Sequence, residues 1–120
     1  MATRLVLRID FDFTRRLGPG KIALLEAIRA TGSIAAAGRE FGMSYRRAWL
    51  LADDLNRTFD TPLIKAHGGG HKGGGATLTP LGERVVALYR TAEANAGKSI
   101  AREVRRMERS LARPRKKLKG

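Results

Sequence analysis

Apolar and polar positions alternate from Leu5 to Phe13. Leu5, Leu7, Ile9, Phe11 and Phe13 fall on one face, and Val6, Arg8, Asp10 and Asp12 on the other. A period of two predicts a strand with one buried face. Gly18-Pro19-Gly20 ends it, and Pro19 suits the first turn of a helix. Ile22, Leu25 and Ile28 then recur at helical spacing until Thr31-Gly32.

Ser33 is a natural N-cap for a short helix from Ile34 to Phe41, whose Ala35-Ala36-Ala37 surface lets another helix approach closely. Gly42 follows where a left-handed residue would end that helix. Ser44 caps a third helix, Tyr45 to about Phe59, with Ala48, Leu51, Ala52 and Leu55 on its core side. Two short helices joined by a tight glycine-containing turn have the layout of a helix-turn-helix. Beyond Pro62, two short strands are expected, from Pro62 to His67 and from Ala76 to Thr79. The tract GGGHKGGG joins them and reads as a wing.

From Pro80 the pattern is helical to about Leu111, with Thr79 as cap. Leu81, Val85, Leu88 and Ala92 are spaced 4-3-4, and so are Ile100, Val104, Met107 and Leu111. A stutter containing Gly97 separates the two runs. So long an apolar stripe on so small a body predicts a partner helix, hence a homodimer through residues 80–112. The tail, residues 113–120, is basic and is expected to be disordered.

Charge narrows the function. The chain has 120 residues and a net charge of +13, a field that attracts polyanions, of which nucleic acid is the commonest for a basic domain. Residues 1–80 hold twelve basic and seven acidic residues, and residues 81–120 hold twelve basic and four acidic. With no cysteine there are no disulfides, thiolate metal sites or thiol nucleophiles. No apolar run approaches the roughly 20 residues that span a bilayer, so no membrane partner is expected. Charges interrupt the apolar start where a secretion signal would need a clean run. A cytoplasmic, nucleoid-associated protein is the expectation.

The candidate DNA contacts follow from helix position. Tyr45, Arg46 and Arg47 occupy the first turn of the third helix, the part of a recognition helix nearest the bases. Arginine can donate two parallel hydrogen bonds to guanine. Ser44 and the helix-start amides suit a phosphate. Arg39, on the preceding helix, is a backbone-contact candidate. The glycines of the wing would let its backbone lie close to DNA while Lys65, His67, His71 and Lys72 supply charge. Trp49 is read as packing. Two histidines on a glycine loop make a poor metal site, and the tract lacks the Gly-Lys-Ser/Thr of a nucleotide cradle. Asp53 and Asp54 diverge by about 100° on a helix and form no catalytic pair. Neither an enzyme nor a cofactor is expected.

The run SIAAAGREFGMSYRRAW, followed by DDLN, PLI, the glycine tract and LTPLG, resembles the N-terminal domain of the molybdate-responsive regulator family ModE. More distantly it is similar to the winged helix-turn-helix of LysR-type regulators. The matching features are Ser33, Ala35 to Ala37, Ser44-Tyr45, Ala48-Trp49, Asn56, the glycine tract, Leu78-Thr79 and Gly82, within residues 18–90. In that family the resemblance implies molybdate-binding β-barrel domains after the long helix. About forty residues follow Thr79 here, helical and then basic in pattern, with no SARNQ-like stretch. The expectation is therefore a DNA-binding half without a molybdate sensor, any effector sensing falling to a separate partner.

The expected fold is mainly α with a small β component, a winged helix-turn-helix with an N-terminal strand and a long C-terminal dimerisation helix. It divides into residues 1–79 (DNA binding), 80–112 (dimerisation) and 113–120 (tail). The expected function is sequence-specific transcriptional regulation on double-stranded DNA. The alternatives are a nucleoid-type architectural protein of little sequence preference, and a module docking RNA or an acidic protein.

Overall fold

A computed structural model describes residues 3–68 and 74–113, which form five helices and two small antiparallel sheets. The first sheet pairs β1 (Ile9–Asp10) with β2 (Arg16–Leu17), Ile9 opposite Leu17. Three helices follow: α1 (Pro19–Thr31), α2 (Ile34–Glu40) and α3 (Tyr45–Thr58). The second sheet is a hairpin of β3 (Ile64–His67) and β4 (Gly75–Leu78), with Ile64 opposite Leu78 and His67 opposite Gly75. The chain then enters α4 (Pro80–Ser99) and α5 (Ala101–Arg109).

Local chemistry sets these boundaries. Pro19 sits in the first turn of α1, and Gly32, at φ +72°, ends it in the left-handed region. The Ser33 hydroxyl accepts from the Ala36 amide and that of Ser44 from the Arg47 amide, each starting a helix. Gly42, at φ +68°, turns the chain between α2 and α3. Thr79 caps α4 by accepting from Gly82, with Pro80 at the first position. These stops and starts match the sequence pattern.

Ile22, Leu24, Leu25 and Ile28 of α1 are fully buried and form the centre of the core. Ala52 and Leu55 of α3, Leu63 and Ile64 at the hairpin base, and Val85, Val86 and Tyr89 of α4 close around them. Each fully buried aliphatic side chain of this size contributes about 1.5–3 kcal/mol relative to exposure. The hairpin is fastened twice. Ala76 donates its amide to the Gly32 carbonyl at 2.8 Å, joining β4 to the end of α1. The Asn56 carboxamide oxygen accepts from the amides of Leu63 and Ile64, both at 2.9 Å, while its Nδ2 donates to the Ile64 carbonyl at 3.2 Å.

Three expectations need correction. The N-terminal strand does not run to Phe13. The Asp12 carboxylate accepts from the amides of Thr14 and Arg15, at 3.0 and 2.8 Å, and makes a turn. That turn leaves Phe13 94% exposed, while Phe11 meets Phe59 edge to face at 5.8 Å. Secondly, the helix expected to run unbroken from Pro80 to about Leu111 is divided at Ile100, which ends α4 and precedes α5.

Thirdly, the stripe of Leu81, Val85, Leu88 and Ala92, expected to meet a partner helix, is not free along its length, because Val85 is buried and Leu81 packs against the chain's own core. The buried face of α4 is Gly82, Val85, Val86 and Tyr89. At about 100° per residue it is rotated by roughly 80–90° from the stripe. Val85 belongs to both, whereas Leu88 is left 67% exposed. Tyr89 reaches past the core, its hydroxyl donating to the Leu7 carbonyl at 2.6 Å. The N-terminal segment thus lies along the last helices, and Thr3, Arg4 and Leu5 share a groove with Gly97, Ile100 and Val104.

Candidate nucleic-acid interface

The exposed surface of α3 follows from its buried one. Ala48, Ala52 and Leu55 turn inward, so Tyr45, Arg46, Arg47, Trp49 and Leu50 are left facing out. Small residues on the inner face bring the helix close to its neighbours. Gly38 of α2 lies against Ala48, and a methyl group on it would sit 2.7 Å from the Ala48 Cβ. This contact holds α2 and α3 together across the four-residue link Phe41-Gly42-Met43-Ser44.

Two grooves flank α3. One, of about 270 Å³, lies between α3, the start of α2 and the hairpin. Tyr45, Trp49, Ser33 and His67 line it, with Gly68 and Gly74 at its hairpin edge. His67 is held in place by a 2.7 Å hydrogen bond between its Nε2 and Thr77 Oγ1 across the hairpin. The other, of about 430 Å³, carries Ser44, Arg46, Arg47 and Leu50 beside Lys21 and Asp54. Lys21 Nζ donates to Asp54 Oδ2 at 2.5 Å, so Asp54 is matched by charge and leaves the neighbouring arginines uncompensated. Asp53 pairs with Arg57 at 3.0 Å further along the helix. Such an arrangement offers two guanidinium groups with no carboxylate partner among the described residues on one flank of a helix, and two aromatic faces on the other.

The expected contact residues are therefore partly gathered. Ser44, Arg46 and Arg47 stand together on one flank, and Tyr45 and His67 on the other. The Ser44 Oγ is already an acceptor for the Arg47 amide at 3.1 Å, which leaves its own proton for a further acceptor. Lys65 is exposed on β3 but lines a separate groove with Pro62, Thr79 and Arg84. Arg39 is exposed in the last turn of α2 and lines neither groove beside α3. His71 and Lys72 lie outside the described residues.

Trp49 departs from its expected packing role, being 45% exposed at the mouth of the first groove. Its position four residues after Tyr45 is the signal that places the two aromatics on one helix face. Asn56, which fixes the hairpin against α3, has no such periodic signal, because its partners are backbone groups of Leu63 and Ile64, seven and eight residues on at the start of β3.

Among the described residues no group of His, Cys, Asp and Glu is placed to hold a metal ion. No helix among them is long and apolar enough to cross a membrane.

No family model matches the chain. It is 45% identical over 86 residues to the molybdenum-pterin-binding protein MopB of Rhodobacter capsulatus, covering 72% of this chain and 32% of that protein. It is 42% identical over 94 residues to the molybdenum transport protein ModE of Azotobacter vinelandii, covering 77% of this chain and 35% of that one. Against the DNA-binding transcriptional dual regulator ModE of Escherichia coli the identity is 38% over 89 residues, 74% of this chain and 34% of that protein. The chain spans about a third of the length of the curated relatives it matches.

Proposed function

We propose that this chain, a relative of the ModE and Mop proteins over most of its own length, is a sequence-specific DNA-binding transcriptional regulator built on a winged helix-turn-helix. In this reading α2 and α3 are the helix-turn-helix, α3 enters the major groove, and the β3–β4 hairpin is the wing against the backbone or minor groove. The observation that carries it is the outward first turn of α3. There Arg46 and Arg47 stand beside a capped helix start, with the hairpin fixed alongside by Asn56. Guanidinium groups at that position can read guanine, each good pair being worth about 1–3 kcal/mol of discrimination. Tyr45 and Trp49 offer flat apolar surface to sugar or to a thymine methyl group.

Two copies acting together would supply the contacts that one small domain lacks. Molybdenum recognition, named for the relatives, is assigned here to the parts of those proteins that this chain does not match, so no cofactor is proposed for it.

The test is selection of bound duplexes from a random pool. A regulator enriches a motif with two-fold symmetry, and Arg46→Ala or Arg47→Ala relaxes one or two positions within it. A flat profile would instead favour the nucleoid-type reading, which the charge of +13 supports. Arginine substitutions that weakened every sequence alike would remove α3 from the major groove.

A further inference from the structure

We propose that the outward face of α5 is a docking surface for the phosphate backbone of duplex DNA, separate from the surface around α3. It rests on the reading that the chain binds duplex DNA. Arg102, Arg105, Arg106 and Arg109 are all exposed. At about 100° per residue they fall within roughly 100° of one another around the helix axis, with Val104 and Met107 on the opposite side. Six of the eleven arginines that precede α5 hold a carboxylate, namely Arg8, Arg15, Arg16, Arg29, Arg57 and Arg90. Among the described residues no ion pair involves α5, although Glu103 and Glu108 share the helix. Four arginines against two unpaired glutamates leave the helix with a net positive charge. From Lys98 to Lys119 the sequence carries ten basic residues against two acidic ones.

Geometry and chemistry fit a phosphate row. From Arg102 to Arg109 the helix rises about 10 Å, the axial length of about three phosphates on one strand of duplex DNA. Arginine rather than lysine at all four positions suits paired hydrogen bonds to phosphate oxygens. The place is distinct from α3, because α4 has 20 residues and so puts about 30 Å between the hairpin base and α5. A basic amphipathic helix can also lie on an anionic membrane. That occupant needs the whole apolar face free, and here Ile100 and Val104 are half-buried beside Thr3 and Leu5 of the same chain, which leaves only Met107 and Leu111 exposed.

The test titrates the full chain with random-sequence duplex DNA over a salt series. A variant combining Arg102→Gln, Arg105→Gln, Arg106→Gln and Arg109→Gln should flatten the salt dependence by about two to four units, at about 0.9 per phosphate contact. Lysine at the same four positions should retain most of the slope, and circular dichroism should report unchanged helix content in both variants. A glutamine variant with the wild-type slope and affinity overturns the proposal while leaving the role of α3 intact. Wild-type protein that binds phosphatidylserine vesicles in preference to duplex at equal salt overturns it in favour of a lipid surface. Wild-type protein that binds no duplex at any salt removes the DNA-binding reading itself, and this proposal with it.

Discussion

Gly38 and Ala48 meet where α2 crosses α3, so closely that a methyl group on Gly38 would sit 2.7 Å from the Ala48 Cβ and 3.3 Å from Met43 Cγ. Overpacking of this kind costs about 1–3 kcal/mol, offset by roughly 1 kcal/mol from the better helix propensity of alanine. Gly38→Ala should therefore lower stability by about 1 kcal/mol. Adding Ala48→Gly returns the missing space, so the double variant should be more stable than the sum of the single changes predicts. Urea midpoints of the four proteins measure that coupling, and strict additivity would show that the two residues do not constrain the crossing.

Asn56 ties the hairpin to α3 with one acceptor oxygen and one donor nitrogen. In Asn56→Ala the amides of Leu63 and Ile64 lose that acceptor in a region where Leu63 and Ile64 are buried. The expected loss is about 2–3 kcal/mol, since unsatisfied buried donors cost about 1–3 kcal/mol. Asn56→Asp keeps an acceptor but not the donor to the Ile64 carbonyl, and should fall between. Amide hydrogen exchange at Leu63 and Ile64 should quicken in both variants. Unchanged protection there would mean that strand pairing alone holds the hairpin.

Much of this organisation was legible locally. Ser33, Ser44, Thr79, Pro19 and Pro80 mark helix starts because their chemistry acts within three residues. The inner face of α3 was equally plain, since its small residues recur at helical spacing. What escaped depended on distant partners. Tyr89 lies outside the apolar stripe of Leu81, Val85, Leu88 and Ala92, yet it is buried, and its hydroxyl meets the Leu7 carbonyl 82 positions away. Phe11 and Phe13 kept the strand alternation going past the point where the Asp12 side chain turns the chain. Nothing in the chemistry of Ile100 explains why the helix is interrupted there.

The contact between α1 and α4 carries a pH-dependent element. Arg90 donates to both oxygens of Glu26, at 3.0 and 2.7 Å, and its remaining nitrogen donates to Glu93 at 2.8 Å. The hydrogen bonds from Arg90 hold the Glu26 carboxyl below its ordinary range. Because the folded-state value is depressed, the contribution is complete above the ordinary glutamate range and is lost as pH falls through the depressed value. Both side chains are about a third exposed (31% for Glu26 and 42% for Arg90), so water screens the pair. The stability gap between wild type and Glu26→Gln should be at most about 1 kcal/mol at neutral pH and should shrink at pH below the carboxylate range. A gap independent of pH would show that the ion pair contributes nothing.

The inward face of α4 is occupied by its own domain, so a second copy pairing with the last helices would use the outer flank of α4 and the exposed apolar residues of α5 and just beyond it. Leu88 and Met107 are 67% and 63% exposed, and Ala92 and Leu111 are exposed as well. Val104 does not belong with them, because it shares a groove with Thr3 and Leu5, and a charge there would disturb the chain's own packing. Leu88→Asp with Met107→Asp is thus the informative pair, since neither side chain is needed by the monomer. A seam along this flank would draw its stability from apolar burial at about 25 cal/mol per Å², and two buried carboxylates would abolish it. Sedimentation should report a folded monomer, with a melting temperature that no longer depends on protein concentration. Binding to an inverted repeat should fall to that of a single half-site. If the doubly substituted protein kept the wild-type mass and the preference for inverted repeats, the flank of α4 would be ordinary solvent-exposed surface and the two-fold contact would have to lie elsewhere.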